Sequence, residues 1–173
     1  STRPEDMERA DALVSVGCDI LVIDTADLKS GYGVRMIREL KTKYLHIPLV
    51  AGNIIDEEGF LLAVEGGADV VKIGQGPGYA CTTREVKRSG RGQATAIRMV
   101  ASERDAYQVR KGRRIPICAD GGMGHTGHMN VAYALGADFL MMGKYFGEFT
   151  ESAAQTLWET VPVSVGGKEI MAR

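Results

Sequence analysis

The sequence predicts an α/β fold of repeated β/α units around a parallel sheet, and two observations carry that prediction. First, one phrase recurs: a small residue and an aspartate leading into a short apolar run. It appears as Gly17-Cys18-Asp19-Ile20-Leu21-Val22-Ile23-Asp24, as Gly67-Ala68-Asp69-Val70-Val71-Lys72-Ile73-Gly74 and as Gly136-Ala137-Asp138-Phe139-Leu140-Met141-Met142-Gly143. Each copy reads as a helix closed by glycine, a tight turn and a strand buried on both faces. Second, such runs alternate along the chain with stretches whose apolar positions fall three or four apart, the helical spacing.

In chain order, the helical spacing predicts helices from Pro4 to Val16, Gly33 to Tyr44, Glu57 to Glu65, Ala94 to Lys111 and Gly127 to Leu135. Between them lie the three phrases and two further apolar runs, Ile47-Pro48-Leu49-Val50-Ala51-Gly52-Asn53 and Ile115-Pro116-Ile117-Cys118-Ala119-Asp120. All five runs end in a polar residue or glycine. Strict alternation implies a parallel sheet with right-handed crossovers. A (β/α)8 barrel and an open doubly wound sheet both satisfy it. A full barrel takes about 250 residues, so five strands would be part of one. From Thr156 to Arg173 the pattern changes: Val161-Pro162-Val163-Ser164-Val165-Gly166-Gly167-Lys168-Glu169-Ile170 reads as two short strands around a Gly-Gly turn, a hairpin excursion.

Composition narrows the function classes. With 173 residues, 45% hydrophobic content and 22 glycines, one compact, turn-rich domain spanning 1–173 is expected. Twenty-one basic against 22 acidic residues, a net charge of -1, give no basic field for nucleic acid. Three cysteines, Cys18, Cys81 and Cys118, form no Cys-x-x-Cys unit, which favours a reducing cytoplasm. No apolar run approaches the ~18 residues of a membrane span, and the N-terminal residues are polar rather than signal-like.

The chemistry is expected at strand C-termini, which a curved parallel sheet brings to one face. Asp24, Asn53, the segment Gly74 to Cys81, Asp120-Gly121-Gly122 and Gly143-Lys144 all fall there. Asp24 can equally cap a turn, and Gly52-Asn53 is a common turn pair. At Asp120-Gly121-Gly122, the carboxylate can accept hydrogen bonds from a ribose diol while the glycines offer N–H groups to phosphate. A tight Asx turn is the plainer alternative. Gly143-Lys144 is a second phosphate candidate, although Lys144 can also be a solvated charge.

Cys81 differs from its fellow cysteines. Cys18 and Cys118 adjoin core strands and read as small hydrophobes. Cys81 lies among Gly, Pro, Thr and Arg, where Arg84 or a nearby helix N-terminus favours thiolate, and Thr83 can orient a proton or water. His46, His125 and His128 show no metal-ligand spacing, and the last two fall at a helix start.

Taken in order, Gly74-x-Gly76-x-Gly78-x-x-Cys81-x-Thr83, Gly90-Arg91-Gly92-Gln93-Ala94-Thr95-Ala96, Asp120-Gly121-Gly122 and Met142-Gly143 resemble the core of the inosine monophosphate dehydrogenase and GMP reductase family. The likeness includes the Asp24-Thr25 strand end and Gly52-Asn53. It implies a (β/α)8 TIM barrel, of which this chain looks like about the last five β/α units plus the hairpin. It further implies NAD-dependent oxidation of IMP to XMP. Cys81 would add to purine C2, hydride would leave for NAD, and water would hydrolyse the thioimidate. NADPH-dependent reduction of GMP is the alternative within the family, and a non-catalytic purine-nucleotide binder is the alternative outside it.

The same resemblance assigns residues. Asp120 would hold the ribose hydroxyls. Tyr79, Gly121, Gly122, Gly143 and Lys144 would surround the 5′-phosphate. Asp24 and Thr25 would face the nicotinamide side, with Asn53 and Lys72 lining the site. Carbonyls of Gly76, Gly78 and Cys81 match positions that bind a monovalent cation, usually potassium. A homotetramer is the usual assembly. The chain departs from the family at Tyr79 and Lys144, each standing where serine is frequent. The flap Arg-Tyr pair that activates water in dehydrogenases, and the acidic residue that acts with the threonine in reductases, have no counterpart in these residues.

Overall fold

The structure, a computed structural model, describes residues 3 and 5–153 in full, and 161–165 and 168–172 as backbone. The chain runs α1 (Glu5–Ser15), β1 (Leu21–Asp24), α2 (Gly31–Lys43), β2 (Leu49–Ile54), α3 (Glu57–Gly66), β3 (Val70–Ile73), α4 (Thr83–Lys87), α5 (Gln93–Lys111), β4 (Ile117–Asp120), α6 (Thr126–Ala134), β5 (Phe139–Met141), α7 (Lys144–Gly147), β6 (Val161–Val165) and β7 (Lys168–Ala172). Strands β1 to β5 form one sheet in sequence order, every pair parallel. A doubly wound sheet reverses its strand order partway. These five do not, so the sheet is an arc of a (β/α)8 barrel. The expected hairpin is present as the antiparallel pair β6–β7. The turn expected at Gly166-Gly167, like Pro4 and residues 154–160, lies outside the described residues.

The helices cover one face of the sheet. Leu21, Ile23, Leu49, Ala51, Val71, Ile73, Ile117 and Ala119 point toward them and pack with Ile37, Leu40, Phe60, Val64, Ile97 and Val100. Phe60, fully buried, meets Tyr107 edge-on with ring centroids 5.9 Å apart. Asp56 caps α3 by accepting from Gly59 N–H at 2.9 Å, and Gly67 ends that helix in the left-handed region.

The opposite face differs from expectation at the sheet's edges. Strands β2 to β4 are largely buried, but Val22 on β1 is 48% exposed and Phe139 on β5 is 53% exposed. Each edge strand has one neighbour instead of two, so its inward residues are covered from one side only. An apolar run reports that a residue is fit for burial, not whether a neighbour is there to bury it.

The repeated phrase has a structural cause. Gly17, Gly67 and Gly136 take φ of 86°, 109° and 106°, turning the chain from helix to strand where a Cβ would be strained. In the second and third copies the aspartate two residues on then clamps the neighbouring strand. Asp69 accepts from Leu49 N–H at 2.9 Å and pairs with Lys41 at 2.8 Å. Asp138 accepts from Ile117 N–H at 2.9 Å and pairs with Arg104 at 3.1 Å and Arg114 at 2.7 Å. Each carboxylate satisfies a strand-start N–H and ties the sheet to a basic side chain. Asp138→Ala strips the partner from a buried strand end, with an expected loss of about 2–3 kcal/mol. Urea unfolding of the full-length protein checks it, and Asp138→Asn, which retains an acceptor, should lose less.

Candidate functional site

The ends of the five strands converge as the sequence predicts, and a buried lysine organises them. Lys72, in the middle of β3, points to the inner face and is 1% exposed. Its ammonium bonds Asp24 Oδ1 at 3.0 Å and also Asp120 Oδ2. Gly52 makes room for it: a Cβ there would stand 2.6 Å from Lys72 Cβ. Asn53 occupies a register irregularity in β2 and donates to Gly74 O at 2.5 Å and to Asp120 Oδ2 at 3.0 Å. Bulges of this kind re-aim a side chain at a strand end. Asp120 thus receives two donors on one oxygen, which holds it as an oriented carboxylate. Thr25 donates its hydroxyl to Gly52 O at 2.9 Å and its N–H to the same carbonyl.

The cysteine loop leaves β3 through Gly74 and Gly76, with φ of 145° and 80°. Arg84 spans beneath it, donating to Gln75 O at 3.1 Å and to Arg91 O at 2.6 Å. Gln93 at the start of α5 donates to Ile73 O at 3.0 Å and to Asp120 O at 3.1 Å, fastening the ends of β3 and β4 together. Gln75 is buried and donates to Ala26 O at 2.6 Å.

Cys81 is exposed, with Sγ 3.2 Å from Thr83 Oγ1. The Thr83 hydroxyl, the Thr83 and Gly76 N–H groups and the Arg84 charge together lower its pKa below the ordinary thiol value, against a smaller opposing effect of desolvation. Cys118 is the opposite case: burial, reinforced by Asp120, pushes it up to about 11. Cys18 donates its S–H to Ile20 O at 2.9 Å. Alkylation of Cys81 by iodoacetamide should therefore show an inflection below that of a free thiol. Thr83→Val should move that inflection upward, and Cys118 should stay unlabelled at neutral pH. Rate against pH, read by peptide mapping, checks all three.

Two cavities meet at this cysteine. One, of about 710 Å³, is lined by Tyr79, Cys81, Asp120 to Gly124, Gly143, Lys144 and Glu148. The other, of about 360 Å³, is lined by Asp24, Thr25, Asn53, Gln75, Thr83 and Asp120. Pro77, Gly78, Cys81, Asp120 and Gly121 belong to both walls. The acceptor Asn53 Oδ1, whose residue borders the second cavity, is buried and without a partner among the described residues.

The expected residues thus collect in one place, with two differences. Lys72 lies beneath the floor, touching the carboxylates that face the cavities. Of the paired glycines, Gly121 has committed its N–H to Met141 O at 3.0 Å, which takes that group out of the donor role expected of both. The anchoring by Gln75 and Gln93 escaped the sequence reading, since a glutamine reaching backbone carbonyls has no spacing signature. His125 and His128 are exposed and stack with ring centroids 3.6 Å apart. Among the described residues, no group of three or more His, Cys, Asp or Glu side chains is placed to hold a metal, and no helix is long and apolar enough to cross a membrane.

Comparison with known proteins agrees with this geometry. The family described as "IMP dehydrogenase / GMP reductase domain" matches residues 1–163. Among curated relatives, an inosine-5'-monophosphate dehydrogenase of Tritrichomonas foetus is 47% identical over 146 residues, covering 84% of this chain and 29% of that protein. One from Caenorhabditis elegans is 38% identical over 158 residues, 91% of this chain and 28% of that protein. One from Chlorobaculum tepidum is 41% identical over 155 residues, 90% and 30% respectively. The chain spans less than a third of the length of these relatives.

Proposed function

This chain belongs to the IMP dehydrogenase / GMP reductase family, and on that premise we propose that it carries the cysteine-bearing portion of an active site that oxidises IMP to XMP with NAD. The observation that supports this reading most is the position of Cys81 in the wall shared by two cavities. Hydride transfer from a covalently held base needs the acceptor to reach the same carbon that carries the sulfur, so the thiol belongs where the two binding volumes meet.

The larger cavity suits the nucleotide. Asp120, its carboxylate held by Lys72 and Asn53, accepts from the ribose hydroxyls. Gly122, Gly143 and Lys144 face the phosphate. Cys81 thiolate adds to purine C2, forming the S–C bond as the C2=N3 π bond opens and N3 takes up a proton. The C2 hydrogen then departs with its electron pair and N3 gives up its proton, restoring C2=N3 as a thioimidate; water adds to that carbon, the C–S bond breaks, and the thiolate is released as XMP leaves with a proton given to solvent. Thr83, 3.2 Å from the sulfur, stabilises the thiolate before attack and after release.

The smaller cavity suits the nicotinamide end of NAD, which supplies a hydride acceptor. The fit rests on Asn53 Oδ1, a buried acceptor that a carboxamide N–H would satisfy, with Asp24 and Thr25 beside it. Carbonyls of Gly76, Gly78 and Cys81 are proposed to hold a monovalent cation. The Gly78 carbonyl already accepts from Cys81 N–H at 3.1 Å and keeps a second lone pair. Together these carbonyls would offer the oxygen-only donor set that a hard cation takes.

The test is a nicotinamide absorbance assay on the full-length protein. A rise with IMP and NAD supports the dehydrogenase. A fall with GMP and NADPH alone assigns the reductase, and neither change with nucleotide still bound leaves a binding protein.

A further inference from the structure

The residue at the phosphate end that most needs explanation is Tyr79. Its side chain is 87% exposed, so no core requires a ring there. The ring instead faces one group: Lys144 Nζ lies 4.8 Å from its centroid. Both residues line the larger cavity together with Gly122, Gly143 and Glu148.

Lys144 begins α7, and Glu148, four residues on, is the C-cap that ends it. Residues so spaced are neighbours, so a Lys144–Glu148 ion pair is within reach, although in the weaker order with lysine first. That pairing would cancel the only side-chain cation that the described residues place on this cavity wall and turn it from the interior. The ammonium is directed at the Tyr79 ring instead. The two attractions favour the ring: a cation over an aromatic face gains more at an exposed site than a solvated helical ion pair does.

We propose that Tyr79 is a positioning residue whose ring holds the Lys144 ammonium over the phosphate end of the cavity and away from Glu148, giving the site its preference for a phosphorylated nucleoside. The inference rests on the reading of this cavity as a purine-nucleotide site. The tyrosine acts through its ring, with no hydroxyl contact to the ligand. A serine at this position would offer phosphate a hydroxyl; here an oriented charge takes that place.

Calorimetric binding of IMP and of inosine to the full-length protein gives the ratio that tests this. Tyr79→Leu should reduce the preference for IMP over inosine about three-fold, and Tyr79→Phe, which keeps the ring, should retain it. Adding Glu148→Gln to Tyr79→Leu should restore most of the ratio, because the competing carboxylate is gone. In a Lys144→Met background, Tyr79→Leu should change the ratio no further. Equal losses in Tyr79→Phe and Tyr79→Leu would overturn the proposal in favour of a hydroxyl contact, as would a Tyr79→Leu effect that persists without Lys144. If the parent protein binds IMP no better than inosine, the nucleotide reading itself fails, which is a distinct result.

Discussion

On the proposed mechanism, Cys81→Ala should lower kcat on the order of 10⁴-fold or more while IMP still binds, because the substitution would remove the covalent step and leave the nucleotide's other proposed contacts in place. The size follows from the unit in which the thiol works. Sγ is activated by Thr83 at 3.2 Å and by N–H groups of its own loop, so deleting the sulfur leaves these groups with nothing to activate. Thr83→Ala should cost less, about 10²-fold, since one hydrogen bond to the sulfur is lost while the sulfur remains. Steady-state kinetics with calorimetric nucleotide binding separates the two effects. Retention of more than a tenth of the parent kcat in Cys81→Ala would remove the thiol from the chemistry. Cys18→Ser serves as the control, since Cys18 touches neither cavity.

Gly74→Ala is expected to be the most damaging single methyl group in the site. The residue sits at φ 145°, and an added Cβ would stand 2.3 Å from the carbonyl oxygen of Asp120 and 3.1 Å from the Gln93 amide. Both neighbours are fixed: the carbonyl is backbone at the end of β4, and Gln93 bonds it at 3.1 Å while also bonding Ile73 O at 3.0 Å. Relief requires β3 and β4 to part where Lys72 and Asn53 hold Asp120. Backbone strain and overpacking together amount to roughly 3–5 kcal/mol. Urea unfolding of the full-length protein should report that loss together with weakened IMP binding. A loss under about 0.5 kcal/mol, inside the range of ordinary surface substitutions, would contradict the close approach.

The parts of the fold legible in the sequence are those with a local cause. Gly67 and Gly136 end helices because only glycine turns the chain there cheaply, and Asp69 and Asp138 recur because each clamps a neighbouring strand. Helices α4 and α7 escaped the reading, being five and four residues long and thus too short to show a helical period. The strand ends that hold Asp24, Asn53, Cys81 and Asp120 were visible because parallel β/α units collect their chemistry at one face. What was hidden depended on partners distant in sequence. Lys72 in its apolar run gives no sign that it will be buried between Asp24, 48 residues before it, and Asp120, 48 residues after it. Likewise, nothing in Asp120-Gly121-Gly122 reveals that Gly121 N–H is committed to β5.

The most direct measurement is intact-protein mass spectrometry of the full-length protein after incubation with 6-chloropurine riboside 5′-monophosphate, followed by peptide mapping. An activated thiol in a purine-nucleotide pocket should form one adduct, with loss of chloride, on Cys81 alone, and excess IMP should prevent it. Absence of any adduct, or equal labelling of Cys18, Cys81 and Cys118, would contradict the central claim that Cys81 is the nucleophile of a nucleotide site.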